Sequence, residues 1–89
     1  MASESKYQAK IKKDLEKQGW TVIRLITATC TVSQSGIPDL LAIRHNDNRS
    51  NDIRFIEVKA KKGVVSPIQK YVMSELEKLG FEVELNREP

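Results

Sequence analysis

Three side chains in the middle of the chain carry charge where an apolar strand would be expected to avoid it. Asp39 opens the run Leu40-Leu41-Ala42-Ile43, and Glu57 and Lys59 interrupt Phe55-Ile56-Glu57-Val58-Lys59-Ala60. Side chains alternate faces along a strand, so Glu57 and Lys59 emerge together while Ile56 and Val58 point the other way. Burying ionised groups is costly unless they are paired or bind a metal. The polar stretch from His45 to Asp52 reads as the turn of a hairpin. Antiparallel pairing across it brings Asp39 and Glu57 to the same end of a sheet. Two carboxylates that close repel each other unless a cation sits between them, and hard divalent ions such as Mg²⁺ or Mn²⁺ take oxygen ligands. Lys59, on the same face, could polarise a water or offset charge developing on a phosphate.

The elements that must position these groups can be read in order. Tyr7, Ile11 and Leu15 recur at four-residue steps, with lysines between them, so a helix is expected from about Ser3 to Gln18. Gly19 stands where a left-handed cap would end it. Glu4 lies on the core-facing stripe near the helix start, where a carboxylate is favourable in its own right. A capping box of Ser5 with Gln8 would instead leave Glu4 ahead of the helix. Trp20 to Ile26 alternates and is rich in β-formers. Arg24 shares a face with Val22 and Ile26, and reads either as a phosphate contact or as a surface arginine. Thr27 to Ser35 reads as a loop leading to Gly36 and Pro38, two backbone constraints that can aim Asp39.

Leu40 to Ile43 is then the second strand and Ile53 to Ala60 the third. Lys61 and Lys62 follow as phosphate contacts or as ordinary solvated lysines. Ser66-Pro67-Ile68-Gln69 is a helix start, with Ser66 as N-cap, Pro67 at the first position and Gln69 closing a capping box. Ile68, Val72, Leu76 and Leu79 are expected to form its buried stripe, with Gly80 at its end. Tyr71 could stack on a base or simply lie on the helix. Phe81, Val83 and Leu85 alternate with Glu82 and Glu84 as a last strand with one buried face, and Asn86 to Pro89 reads as a tail. The order αβββαβ gives an α/β fold, a central mixed sheet flanked by helices.

The totals fit one small domain over residues 1–89, whose thin core would gain from a partner subunit. No window is apolar enough to span a membrane, and the polar stretch from Met1 to Lys17 does not resemble a signal peptide. A lone cysteine, Cys30, favours a reducing cytosol. The formal net charge is +3. Lysines crowd the first helix and the region of Lys59, Lys61, Lys62 and Lys70, which suits a polyanion such as nucleic acid, although charge runs are also ordinary solvated surface. A Ser-His-Asp or Cys-His set is not credible with His45, the one histidine, in a polar turn. No Gly-rich phosphate loop and no zinc cluster is present.

Pro38-Asp39 followed by Glu57-Val58-Lys59 resembles the PD-(D/E)xK nuclease signature. With Glu4, Gly36 and Ser66-Pro67-Ile68-Gln69, the chain from Glu4 to about Leu85 is similar to the virus-type replication-repair nuclease family (VRR-NUC) in its small stand-alone form. That resemblance implies a restriction-endonuclease-like core and a Mg²⁺- or Mn²⁺-dependent endodeoxyribonuclease. Asp39, Glu57, the Val58 carbonyl and Glu4 would hold metal. Lys59 would serve the attacking water, and Gln69 would border the site. Arg24, Lys61, Lys62 and Lys70 would contact DNA. It further implies a homodimer acting on branched DNA such as four-way junctions, in a bacterial or phage-infected cytoplasm. The alternatives are a flap or other branched-DNA nuclease, or a junction-binding module with little turnover.

Overall fold

The computed structural model describes residues 2–25, 36–47 and 50–89, with side chains from Ser5 onward. Helix α1 spans Ala2–Lys17, and strands β1 (Thr21–Arg24), β2 (Leu40–His45) and β3 (Asn51–Lys59) follow. Helix α2 (Pro67–Lys78) and strand β4 (Glu82–Arg87) complete the chain. The four-stranded sheet has the order β1-β2-β3-β4. The first three strands pair antiparallel and β4 joins β3 in parallel, so the sheet is mixed, as the element order implies. Ile26, the loop from Thr27 to Ser35 with Cys30, and the side chain of Glu4 lie outside the described residues.

The α1 face of the sheet is sealed. Ile11 and Leu15 pack with Trp20, Val22, Leu40, Ala42, Ile56 and Val58, with Tyr7 partly buried against them. Leu40, Ala42, Ile56 and Val58 have no exposed surface at all. The helix ends by turning back on itself at Gly19, whose φ is +94°. The Trp20 N–H then donates to the Leu15 carbonyl at 3.1 Å, the wrap that delivers an apolar residue back onto the helix's last turn. At the hairpin end, the Arg44 and Arg54 guanidiniums lie over the Trp20 ring, 4.3 and 4.9 Å from its centroid. Such contacts cover a large aromatic while keeping charge near water.

The α2 face is different, and here several expectations need correction. Ser66 caps α2 and forms the capping box with Gln69. None of the helix's residues is buried, however. Of the expected stripe, Ile68 is 45 % and Leu79 73 % exposed. The spacing is helical as read, but α2 lies chiefly along the edge strand β4, so little of the sheet covers its stripe. Leu85, placed on a buried face, is 45 % exposed for the same reason. Strand β4 also runs on through Asn86 and Arg87, which are not tail: they pair with Val58 and Lys59, and the Tyr7 hydroxyl donates to Asn86 Oδ1 at 2.7 Å. Ser5 is not an N-cap, since α1 already begins at Ala2. The hairpin turn is tighter than read, because β2 reaches His45 and β3 starts at Asn51.

Candidate active site

Asp39 sits immediately ahead of β2 and is pinned from both sides. Its carbonyl accepts from the Leu25 N–H at 2.9 Å, which continues the β1–β2 pairing. Its carboxylate Oδ2 accepts from the Val58 N–H at 2.8 Å. The β2–β3 ladder stops at Leu40 and Ile56, so this amide finds a side chain where a strand carbonyl would otherwise stand. Buried backbone donors are rarely left unpaired, and a charged acceptor is a strong partner. The approach to Asp39 is fixed by Gly36, which has φ +84°, and by Pro38, which is fully buried. A Cβ on Gly36 would lie 2.7 Å from the Ile68 carbonyl oxygen. Gly36 is therefore required twice over, by its backbone conformation and by its contact with the first turn of α2.

Glu57 lies one strand over, on the α2 face, and is only 1 % exposed. Its Oε2 receives the Gln69 amide at 2.7 Å and the Lys59 ammonium at 3.3 Å. Its Oε1 is buried and has no hydrogen-bond partner among the described residues. Burial, then the nearby charge of Asp39, push its carboxyl up to about 7, against an opposing pull from Lys59. Two carboxyl groups close together in a desolvated site do not both ionise readily unless a cation joins them.

Gln69 serves two ends at once. Its side-chain oxygen accepts from the Ser66 N–H at 2.9 Å, closing the capping box, and its amide nitrogen donates to Glu57. The helix start thus orients the carboxylate. Lys59 is held from the other side. Ala60 to Gly63 forms a tight turn, and a Cβ on Gly63 would lie 3.4 Å from Lys59 Cδ. The Arg87 guanidinium donates to the carbonyls of Ala60, Lys61 and Gly63, at 3.3 and 3.5 Å for the first two. Arg87 lies in β4, beyond the strand that Phe81, Val83 and Leu85 alone would mark. The signal was present, since Arg87 continues the alternation of Val83 and Leu85 on the face of Lys59.

The structure therefore brings Asp39, Glu57, Lys59 and Gln69 together, with the Val58 backbone between the two acids. Lys61 and Lys62 are exposed on the turn after β3, Lys70 is exposed beside Gln69 on α2, and Arg24 is exposed at the end of β1, next to Leu25. Among the described residues, no group of three His, Cys, Asp or Glu side chains converges as a metal site. Glu4 is on the first turn of α1, with its side chain outside the described residues.

The family model for the VRR-NUC domain matches residues 2–87, essentially the whole chain. The chain belongs to the VRR-NUC family. VRR-NUC is a nuclease family, and the mixed sheet with a helix on each face is consistent with its fold. No match was found among the curated proteins or among the solved structures. Among the described residues, no helix of this VRR-NUC chain is long and apolar enough to cross a membrane.

Proposed function

We propose that the protein is a metal-dependent endonuclease that hydrolyses DNA phosphodiester bonds, with Asp39, Glu57, Lys59 and Gln69 at the reacting centre. The observation that carries this reading is Glu57. A buried carboxyl with one oxygen unpartnered among the described residues, set beside a second carboxyl and a lysine, is a donor set suited to a hard cation. Asp39, Glu57 and the Val58 carbonyl would hold Mg²⁺ or Mn²⁺, with Glu4 joining from α1. When bound, such an ion lowers the pKa of its water and clamps phosphate oxygens.

The chain's own groups do the rest. Gln69 and Lys59 occupy Oε2 of Glu57, which leaves Oε1 for the ion. The Lys59 ammonium orients the attacking water and offsets negative charge developing on the phosphate. Lys61, Lys62 and Lys70 contact DNA phosphates around the centre, and Arg24, at the same end of the sheet but on the α1 face with Val22 and Leu40, contacts the backbone from that side. Tyr71, 60 % exposed on α2, is open to a base or sugar.

The substrate we infer is branched DNA, in the first place the four-way junction, cut by a homodimer. A two-fold pair presents one centre to each of two strands. The half-covered α2 face, with Ile23, Ile68, Leu79 and Leu85 exposed, supports a partner subunit there. The test is a cleavage panel of linear duplex, single strands, flaps, forks and four-way junctions, with Mg²⁺ and with Mn²⁺, beside sizing chromatography. Junction nicking that stops in EDTA, from a dimer, is the expected result. Cutting that persists in EDTA excludes the mechanism. Equal cutting of linear duplex removes the junction preference, and binding without nicking leaves a DNA-binding module.

A further inference from the structure

The charge of this chain is concentrated on a surface that the site does not use. Lys6, Lys10, Lys13 and Lys17 lie on α1 at steps of four, three and four residues. At 3.6 residues per turn they fall within about 60° of arc, roughly 150° from the buried side of the helix marked by Ile11 and Leu15. With Ala9 and Asp14 they line a shallow depression of about 370 Å³. The asymmetry of this patch is the informative point. Of the chain's 15 Lys and Arg, four are here, and of its 12 Asp and Glu, one is here. Eleven of each sign remain elsewhere, so the whole net charge of +3 resides on this one patch. Lys12, on a different arc of the same helix, is neutralised by Glu16 at 2.8 Å. In the row, only Lys10 has an ion-pair partner among the described residues, Asp14 at 3.2 Å.

We infer that the α1 lysine row is a second DNA-contact surface, which grips the phosphate backbone of a duplex segment outside the site of cleavage. This rests on the reading of DNA as substrate. The row begins at the end of the sheet that carries the site, but on the opposite, α1 side. Tyr7, beside Lys6, bonds to Asn86 Oδ1 and the Arg87 carbonyl, and those residues pair with Val58 and Lys59. From there it runs about 16 Å along the helix, a length over which a B-form duplex carries on the order of nine phosphate charges. A row of lysines on one side of a helix matches such a charge line and carries no base readout, so the contact is independent of sequence. An anionic membrane would want an apolar helix face to insert, and that face of α1 is already spent on the core, with Ile11 6 % and Leu15 8 % exposed.

The test is fluorescence anisotropy of a labelled linear duplex with the whole protein in EDTA, between 50 and 200 mM KCl. Wild type is compared with Lys6→Gln, Lys10→Gln, Lys13→Gln and Lys17→Gln, singly and combined, and with Lys12→Gln. Glutamine keeps the helix propensity of lysine, and the single variants guard against any loss of fold in the quadruple. Lys6→Gln, Lys13→Gln and Lys17→Gln are each expected to make the slope of log K against log salt shallower by about 1, Lys10→Gln by less because Asp14 already pairs with it, and the quadruple by about 3. Lys12→Gln is expected to leave it unchanged. An unchanged slope in the quadruple, an equal loss in Lys12→Gln, or binding to anionic vesicles in preference to duplex overturns the inference. Metal-dependent cleavage by wild type is scored separately. A changed slope without cleavage sinks the nuclease reading alone, and cleavage with an unchanged slope sinks the lysine row alone.

Discussion

The two faces of the sheet are built to different ends. Toward α1, alternate residues of three strands close on Ile11 and Leu15, and Leu40, Ala42, Ile56 and Val58 lose all contact with water. Toward α2 the same strands present Leu41, Ile43 and Phe55 half-covered, and none of the helix's own residues is fully buried. Yet the most deeply buried charge, Glu57, is on this second, looser face. One face holds the chain together. The other accepts a desolvated acid, one of whose oxygens has no partner among the described residues, that stability alone would have removed.

Exchanging single residues between those roles should produce opposite phenotypes. Asp39→Ala or Glu57→Gln is expected to lower metal-dependent cleavage by on the order of 10³-fold or more. Glu57→Gln should melt at or above the wild-type temperature at pH 8, because it deletes the ionised buried group. Residual cleavage near wild type, measured by single-turnover assay, would remove Glu57 from the chemistry.

Leu40→Ala, on the sealed face, should cost about 2–5 kcal/mol. That is a large share of what a chain of this size has, at roughly 0.05–0.15 kcal/mol per residue. Leu79→Ser, on the open face, should stay within about 0.5 kcal/mol in a dilute monomer, while shifting any dimer toward monomer. Urea denaturation read beside sizing chromatography separates the two, and equal destabilisation by both would erase the contrast between the faces.

The pH dependence of stability sharpens it further. The Glu57 carboxyl stands at about 7 in the fold against an ordinary 4.5. Between those values the native state holds a proton that the unfolded chain has released, so stability falls as pH rises through that window. The loss is complete above about 7 and amounts to on the order of 3 kcal/mol at most. The difference between wild type and Glu57→Gln in thermal melts isolates it. Added Mn²⁺ should reverse it at pH 8 and do little at pH 5. A difference between the two proteins that does not vary from pH 4.5 to 8 would show that Glu57 titrates normally.

Much of this arrangement was legible because the deciding signals are local. Ser66, Pro67 and Gln69 announce a helix start within four residues, and alternation alone puts Glu57 and Lys59 on one face. What escaped depended on the partner rather than the pattern. The periodicity of Ile68, Val72, Leu76 and Leu79 tells which side of α2 is apolar, not how much sheet there is to cover it. Gly36 reads as a turn glycine until the Ile68 carbonyl oxygen is seen to stand 2.7 Å from where a Cβ would lie. Asn86 and Arg87 look like a polar tail because what retains them, the parallel register with Val58 and Lys59 and the Tyr7 hydroxyl, comes from distant parts of the chain.

Arg87 yields the smallest of these effects and the narrowest test. It touches neither Asp39 nor Glu57 among its described bonds; it holds the carbonyls of the turn whose Gly63 leaves no spare room beside the Lys59 stem, since an added Cβ would come within 3.4 Å of Lys59 Cδ. The Glu88 N–H, donating to the Lys59 carbonyl at 2.9 Å, fixes the backbone of that residue independently. Arg87→Gln should therefore leave the fold within about 1 kcal/mol, since an exposed side chain is lost and the strand stays paired. The turn then loosens, and Lys59 spends part of its time away from Glu57. A small displacement of a positioned group is felt in the rate more than in binding. The expected result is a fall of about 10-fold in kcat with KM for DNA nearly unchanged, partly recovered by Arg87→Lys, which keeps one donor within reach of the carbonyls. If KM rises while kcat holds, Arg87 acts instead as one more phosphate contact on a basic rim, and the wall behind Lys59 is not what keeps its ammonium in place.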